Sequence, residues 1–134
     1  MILDSNVIIA LLDPDCPAPY RARIATLSSV HQPRINEIIF AEIARGFLDA
    51  QEVEDMLEAI GVSLVRLTLP ECHRASIAFG EYRRRGGERA TILPDFLIGA
   101  QAATRGWPLV TRDRRGFASY FPELELIDPT ETDA

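Results

Sequence analysis

Short apolar runs alternate with longer helical segments along the chain, and this alternation restricts the fold more than any other feature. Continuous apolar runs are typical of strands covered on both faces, and we predict such strands at residues 1–4, 34–36, 62–67, 109–111 and 124–127. Helical patterns and glycine or proline boundaries predict helices at residues 20–27, 38–48, 50–60, 70–85 and 94–106, with a helical turn at 116–120. The helix at 38–48 is apolar almost all round and is expected to be buried.

Strands that alternate with helices predict an α/β protein, with a mainly parallel sheet of about five strands and helices on both faces. The length of 134 residues predicts one domain over residues 1–134. No apolar run is long enough to cross a bilayer. Asp4 interrupts the first apolar stretch and no basic region precedes it, so we expect a cytoplasmic protein without a signal peptide.

The charge of the chain narrows the function. All 14 basic residues are arginine, and the absence of lysine excludes a P-loop lysine and Schiff-base chemistry. The net charge of −6 counts against a protein that coats nucleic acid, but less against a nuclease whose clustered acids hold metal ions. The two cysteines and two histidines are isolated in the sequence, which fits neither a zinc site nor a Ser/His triad.

Three carboxylates stand alone in apolar surroundings. Asp4 is the only charge in residues 1–12, Glu42 the only one in 38–44, and Asp95 the only one in 90–104. Burying such a group without a partner is costly, so its presence indicates a cation, an arginine or catalysis nearby. Three such groups on three separate elements predict one shared site.

The predicted elements can bring these acids together. Asp4 ends the first strand and Asp113 follows the strand at 109–111, so both would lie at the carboxyl edge if those strands are neighbours. Asp95 begins a helix, where backbone amides favour its ionised form. Glu42 lies one turn into a core-facing helix, whereas Glu37 points to a different face. Carboxylates alone make a hard-oxygen site suited to Mg²⁺ or Mn²⁺ and to phosphodiester hydrolysis.

Each acid also has a simpler interpretation. Asp4 could be a strand-end acid with its own hydrogen-bond partners, and Glu42 could pair with Arg45 or another arginine. Asp95 could only start a helix, and Asp113 could lie on a solvated, arginine-rich loop. An apolar strand followed by Asp-Ser-Asn also resembles the start of aspartyl-phosphate phosphatases, but those enzymes normally need the lysine that this chain lacks.

Four segments carry a resemblance to a known family: MILDSNVII at the start, then NEIIFAEI, PDFLIGAQA and LVTRDRRGF. In this order and at these spacings the chain resembles the PIN domains, in particular the VapC-type ribonuclease toxins of type II toxin–antitoxin systems. The resemblance implies a three-layer PIN-like fold and a metal-dependent endoribonuclease, with RNA as the substrate. It also implies a homodimer that a cognate antitoxin inhibits, an antitoxin arginine commonly entering the acidic groove.

The resemblance assigns roles residue by residue. Asp4, Glu42, Asp95 and Asp113 are implied to be the acidic quartet that binds Mg²⁺ or Mn²⁺. Asn6 and Thr111 are implied to hold those carboxylates or the waters of the metal by hydrogen bonds. The alternative is a non-catalytic PIN-like module that binds RNA or protein, although such domains tend to lose the acids that this chain keeps.

Two arginine clusters are candidate RNA contacts on either side of the site. They are the run Arg83, Arg84 and Arg85, and the group Arg112, Arg114 and Arg115. A solvated helix end is the alternative for the first cluster. We expect the antitoxin to face the helix at residues 50–60 and the helix that precedes it.

Overall fold

The structure, a computed structural model, describes residues 1–88, 92–114 and 117–131. Its centre is one parallel sheet with the strand order β3-β2-β1-β4-β5. The strands are β1 (Ile2–Leu3), β2 (Arg34–Ile35), β3 (Ser63–Leu64), β4 (Leu109–Val110) and β5 (Leu126–Ile127). The prediction of a parallel α/β sheet with five strands is confirmed, although each strand is shorter than its apolar run.

Helices cover both faces of this sheet, which gives the three layers expected from right-handed crossovers. They are α1 (Ser5–Leu12), α2 (Ala18–Val30), α3 (Glu37–Ile43), α4 (Ala50–Ala59), α5 (Leu69–Arg84), α6 (Leu93–Arg105) and α7 (Phe117–Tyr120). A 3₁₀ turn at Ala44–Gly46 follows α3. In the part of the chain that the structure describes, no helix has the length and apolarity to cross a membrane.

The strand order reverses between β1 and β4. From β1 the chain moves outward to β2 and β3, then crosses back to β4 on the other side of β1. Ile2 therefore lies opposite both Arg34 and Leu109, and the Asp4 amide donates to the Val110 carbonyl at 3.0 Å. In such sheets ligands bind beyond the carboxyl ends of the strands at the reversal, which here is where Asp4 lies.

Two predictions about helices are wrong. No helix is predicted directly after the first strand, but α1 starts there, with Asp4 as its N-cap. The exposed positions of α1 carry the apolar residues Ile9 and Leu12 where a surface helix normally has polar residues. The sequence of α1 therefore lacks the alternation of apolar and polar residues that indicates a helix. The helix predicted at 38–48 ends at Ile43, and a turn that contains Gly46, a poor helix former, follows it.

An aromatic cluster fixes the helices behind the acidic edge. The Phe96 ring lies 6.5 Å from Phe79, 5.8 Å from Tyr82 and 5.1 Å from Tyr120, measured between centroids. Gly99 allows this packing, since a Cβ there would lie 2.7 Å from the Phe121 ring. The cluster therefore holds the first turn of α6, which carries Asp95, in a fixed place.

Candidate active site

Asp4 is the buried centre of the acidic edge, with 5% of its surface exposed. Its Oδ1 accepts from the Ser5 amide at 2.8 Å, and its Oδ2 accepts from the Thr111 hydroxyl at 2.8 Å. Burial raises the pKa of Asp4, hydrogen bonds from Thr111 and Ser5 oppose that shift, and the charge of Asp113 adds to it. The carboxylate is thus oriented by neutral donors, and its negative charge is not neutralised by a described cation.

Thr111 and Asn6 join the ends of β1 and β4. The Thr111 hydroxyl also accepts from the Asp113 amide at 3.1 Å and from the Asn6 side-chain amide at 3.3 Å. The Asn6 amide lies 3.4 Å from Asp4 Oδ2, and its oxygen accepts from the Arg112 backbone at 3.3 Å. These contacts hold the loop after β4 against α1, which brings Asp113 to the same edge as Asp4.

Glu42 reaches this edge from α3, but it is exposed rather than buried. The expectation that this helix is buried almost all round is therefore wrong, because only Ile39 and Ile43 form its buried side. Partial enclosure of the Glu42 carboxyl raises its pKa, the charges of Asp4 and Asp95 add to the shift, and a Ser5 side-chain hydrogen bond opposes it. Glu42 thus interacts electrostatically with two of the other acids.

A buried amide pair fixes α3 relative to α6. Asn36 accepts from the Ile38 and Ile39 amides at 3.0 Å each, capping α3, and donates to Gln101 Oε1 at 3.1 Å. Both Asn36 and Gln101 are fully buried. This contact couples the helix that carries Glu42 to the helix that carries Asp95.

The four predicted acids therefore share one edge of the sheet. Asp4 interacts with Asp113 and Glu42, and Glu42 interacts with Asp95. Their donor set consists of carboxylate oxygens, which suits a hard divalent cation. Among the described residues, however, no three acid, histidine or cysteine side chains already form a metal-binding group. A cation would have to draw the carboxylates closer together.

In the described part of the chain, the structure contradicts the simpler interpretation of Glu42 and agrees with that of Asp95. Among the described residues Glu42 forms no ion pair with Arg45. Asp95 does lie in the first turn of α6, so its helix-start role is real and coexists with its position near Glu42. Glu37 points away, as expected, and its Oε1 accepts from the Leu67 amide at 2.7 Å.

The arginine clusters lie in different relations to the acids. Arg112 and Arg114 line one cleft together with Asn6 and Asp113, whereas Arg115 falls outside the described residues. The Arg114 guanidinium also contacts Glu131 at 2.8 Å.

The run from Arg83 to Arg85 ends α5 and is exposed. Tyr82 in that last turn contacts Phe96 in the first turn of α6, so the run lies at the same end of the molecule as Asp95. Arg85 pairs with Glu81 and lies over the Tyr120 ring.

Sequence reasoning missed Ser5. Its backbone amide and its side chain both support Asp4, and its side chain also supports Glu42, so it lies between two of the acids. The available signal was its position directly after an aspartate that caps a helix. That signal was lost because α1 was not predicted.

Solved structures provide similar folds over nearly the whole chain. VapBC2 from Rickettsia felis, bound to a promoter DNA fragment, has 18% identity and a TM-score of 0.73, covering 93% of this chain and 95% of its own. VapBC-1 from nontypeable Haemophilus influenzae has 20% identity and a TM-score of 0.73, covering 97% and 98%. FitAcB from Neisseria gonorrhoeae has 22% identity and a TM-score of 0.67, covering 96% of each chain.

A comparison of the sequence with curated proteins gives no significant match. The PIN domain family model, by contrast, matches residues 1–120. That span contains β1 to β4, the seven helices found in the described residues and every acid of the site. The chain therefore belongs to the PIN domain family.

Proposed function

We propose that this protein is a metal-dependent endoribonuclease and the toxin of a toxin–antitoxin pair. The observation that carries the proposal is Asp4, a buried carboxylate with a raised pKa beside other acids and without a described cation partner. Such an arrangement is costly in the free protein, and a divalent cation would remove the cost. Membership of the PIN domain family and the toxin–antitoxin complexes among its structural neighbours support the same function.

Asp4, Glu42, Asp95 and Asp113 are the residues that would hold Mg²⁺ or Mn²⁺. The bound ion would supply positive charge and Lewis acidity at the scissile phosphate. Thr111 and Ser5 fix the orientation of the Asp4 carboxylate by donating hydrogen bonds to its two oxygens. Arg112 and Arg114 provide positive charge for the neighbouring RNA phosphates, in the cleft that they share with Asp113.

The antitoxin would cover a groove between α1 and the segment after α3. This groove has a volume of about 780 Å³ and is lined by Ile9, Leu12, Ile43 and Phe47 together with Glu42. Ile9 and Leu12 are 55% and 40% exposed, and exposed apolar side chains that share the wall of a groove suit a protein partner. A partner seated there would also cover Glu42. The groove expected beside α4 exists as a separate cleft on the other side of α3.

The decisive experiment incubates partner-free protein with a mixed tRNA and rRNA pool in Mg²⁺, in Mn²⁺ or in EDTA. We expect discrete cuts that need the metal and disappear in the Asp4→Asn variant. Asp55→Asn, an exposed acid of α4, is the matched control and should cut like the wild type. Cuts that persist in EDTA or in Asp4→Asn would contradict the proposal. No cleavage by folded protein that binds Mn²⁺ would favour the non-catalytic binding module.

The oligomeric state is measured by light scattering of the purified protein. We expect a homodimer.

A further inference from the structure

A second cleft opens beside the acidic edge, between α1 and the start of α2. It has a volume of about 450 Å³, and its walls include Ile9, Ala10, Pro17 and Tyr20 together with Asn6 and Arg112. This volume lies in the range of small-molecule sites. Apolar side chains and an aromatic residue therefore form much of a cavity large enough for one ring system.

The cleft adjoins the one at the acidic edge. Asn6 and Arg112 belong both to this cleft and to the one that contains Asp113 and Arg114. The Arg112 backbone is fixed to Asn6 Oδ1 at 3.3 Å, and Asn6 in turn contacts Thr111. A polynucleotide bound at Asp113 would thus pass Arg112 before it reached the cleft.

Tyr20 contributes an unused polar group to this region. The residue is only 7% exposed, and its hydroxyl has no hydrogen-bond partner among the described residues. Burial raises the pKa of Tyr20 to about 12, while the charge of Arg112 opposes the shift and Cys16 and Asp128 add to it. The hydroxyl therefore stays protonated and can donate one hydrogen bond.

The charges of the cleft favour a base over a phosphate inside it. Asp13 and Asp15 also line the cavity, and carboxylates repel phosphates but accept hydrogen bonds from the amino groups of bases. Arg112 at the entrance is suited to the phosphate that precedes the base. Unstacked bases of single-stranded RNA typically bind in this way, against apolar and aromatic side chains with an arginine on the backbone.

We infer that this cleft is a nucleobase subsite of the nuclease, which holds the base of a nucleotide close to the scissile phosphate while Arg112 holds its phosphate. The inference rests on the proposed function and adds to it a means of substrate selection. An extended single strand, whose bases are free to leave the stack, is then the preferred substrate. A duplex, whose bases remain paired, is bound more weakly.

The test measures binding of short single-stranded RNA oligonucleotides by fluorescence anisotropy, in Mg²⁺. The full chain carries Asp113→Asn so that bound RNA persists, and gels verify that it stays uncut. Each oligonucleotide is used intact and in versions that lack one base, with the abasic position moved along the strand. Three further variants are compared with this background: Ala10→Leu, which fills the cleft; Tyr20→Phe, which removes only the hydroxyl; and Ala25→Leu, an exposed control on α2.

We expect one abasic position to weaken binding about fivefold to tenfold in the background protein. Ala10→Leu should weaken binding of intact RNA by a similar factor and make the protein insensitive to that abasic position. Tyr20→Phe should cause a loss of a few fold for intact RNA and none for that abasic RNA, whereas Ala25→Leu should change nothing. Thermal unfolding establishes that each variant is folded.

Two different results would overturn the inference. If folded Ala10→Leu and Tyr20→Phe bind RNA normally and keep the full sensitivity to the abasic position, the cleft does not hold the base. The proposed nuclease function would survive that result. If the background protein binds no single-stranded RNA even at low salt, both the subsite and the proposed RNA substrate are wrong.

Discussion

Asp4 and Glu71 are both buried carboxylates at the start of a helix, but Glu71 has an arginine partner and Asp4 has acidic neighbours. Asp4 is 5% exposed and Glu71 is 1% exposed. Glu71 lies in the first turn of α5, where its two oxygens accept from Arg105 Nε at 2.8 Å and from the Thr68 amide at 2.8 Å. Asp4 has neutral donors and acidic neighbours.

The pKa values follow from these partners. Burial alone would raise the pKa of Glu71, but hydrogen bonds from Arg105 and Thr68 outweigh burial and leave its pKa below the usual value. For Asp4 burial outweighs the hydrogen bonds and the pKa is raised. Glu71 therefore stabilises the fold in its charged form, whereas charging Asp4 costs stability. Glu71 therefore has a structural role, whereas the charged form of Asp4 would be stabilised by a bound cation.

The largest expected effect is on metal binding. Asp4→Asn should weaken Mg²⁺ or Mn²⁺ binding at least about a hundredfold, since losing even an indirect supporting contact costs about 10-fold to 100-fold. Glu71→Gln should leave metal affinity within about twofold of the wild type, because Glu71 pairs with Arg105 in the last turn of α6, at the opposite end of that helix from Asp95. Isothermal titration with Mn²⁺ measures both. Equal losses in the two variants would contradict the distinction.

The stability of the fold should depend on Glu71, in contrast to metal affinity, which should depend on Asp4. Glu71→Gln should lower the free energy of unfolding by about 2 kcal/mol, because it leaves Arg105 without its ion pair. The loss is smaller than for a fully buried pair, since the Arg105 side chain is 29% exposed and can regain water. Urea unfolding followed by circular dichroism measures the change. Glu81→Gln, which breaks the exposed pair with Arg85 on the same helix, should cost at most about 0.5 kcal/mol.

Removing a donor from Asp4 should have an intermediate effect. Thr111→Val keeps the shape of the side chain but deletes the hydroxyl that contacts Asp4 Oδ2 at 2.8 Å. The pKa of Asp4 should rise further, and metal affinity should fall about tenfold. Titration with Mn²⁺ at several pH values measures this, and the loss should be greatest at mildly acidic pH. A loss that does not depend on pH would argue against a role for Thr111 in holding charged Asp4.

The smallest effect concerns the metal-free protein. A raised pKa means that the Asp4 proton stabilises the fold below the usual aspartate value of 3.8, and that this stability is lost as pH rises through the raised pKa. Asp4→Asn keeps a neutral side chain that can cap α1, so it should stabilise the metal-free protein by about 1 kcal/mol at neutral pH.

Thermal unfolding in EDTA, from neutral pH down to about 3.8, measures how much more stable the metal-free Asp4→Asn variant is than the wild type. It should disappear as pH falls toward 3.8, where the wild-type carboxyl is also neutral. If the Asp4→Asn variant is less stable than the wild type at neutral pH, the contacts of Asp4 already offset the cost of burying its charged carboxylate.

Much of the fold could be predicted because it depends on local pattern. The order of strands and helices from β2 onward follows apolar runs and glycine boundaries, such as Gly106, which ends α6 with a φ of 67°. The failures are also local in origin. In α1 the exposed face carries Ile9 and Leu12, so the periodicity that normally marks a helix is missing. The helix α3 ends earlier than predicted because the turn with Gly46 follows it.

The sequence by itself determined which acids stand alone in apolar runs, that Asp4 and Asp95 lie at the ends of elements, and that the histidines and cysteines are too isolated to form a zinc site. Only the tertiary structure decided that β1 and β4 are neighbours, which brings Asp4 to Asp113. It also decided that Glu71 has the cationic partner Arg105, 34 positions away, while Asp4 has no cationic partner among the described residues. The reason is physical: the cost of a buried charge depends on the groups packed around it, and those come from distant parts of the chain.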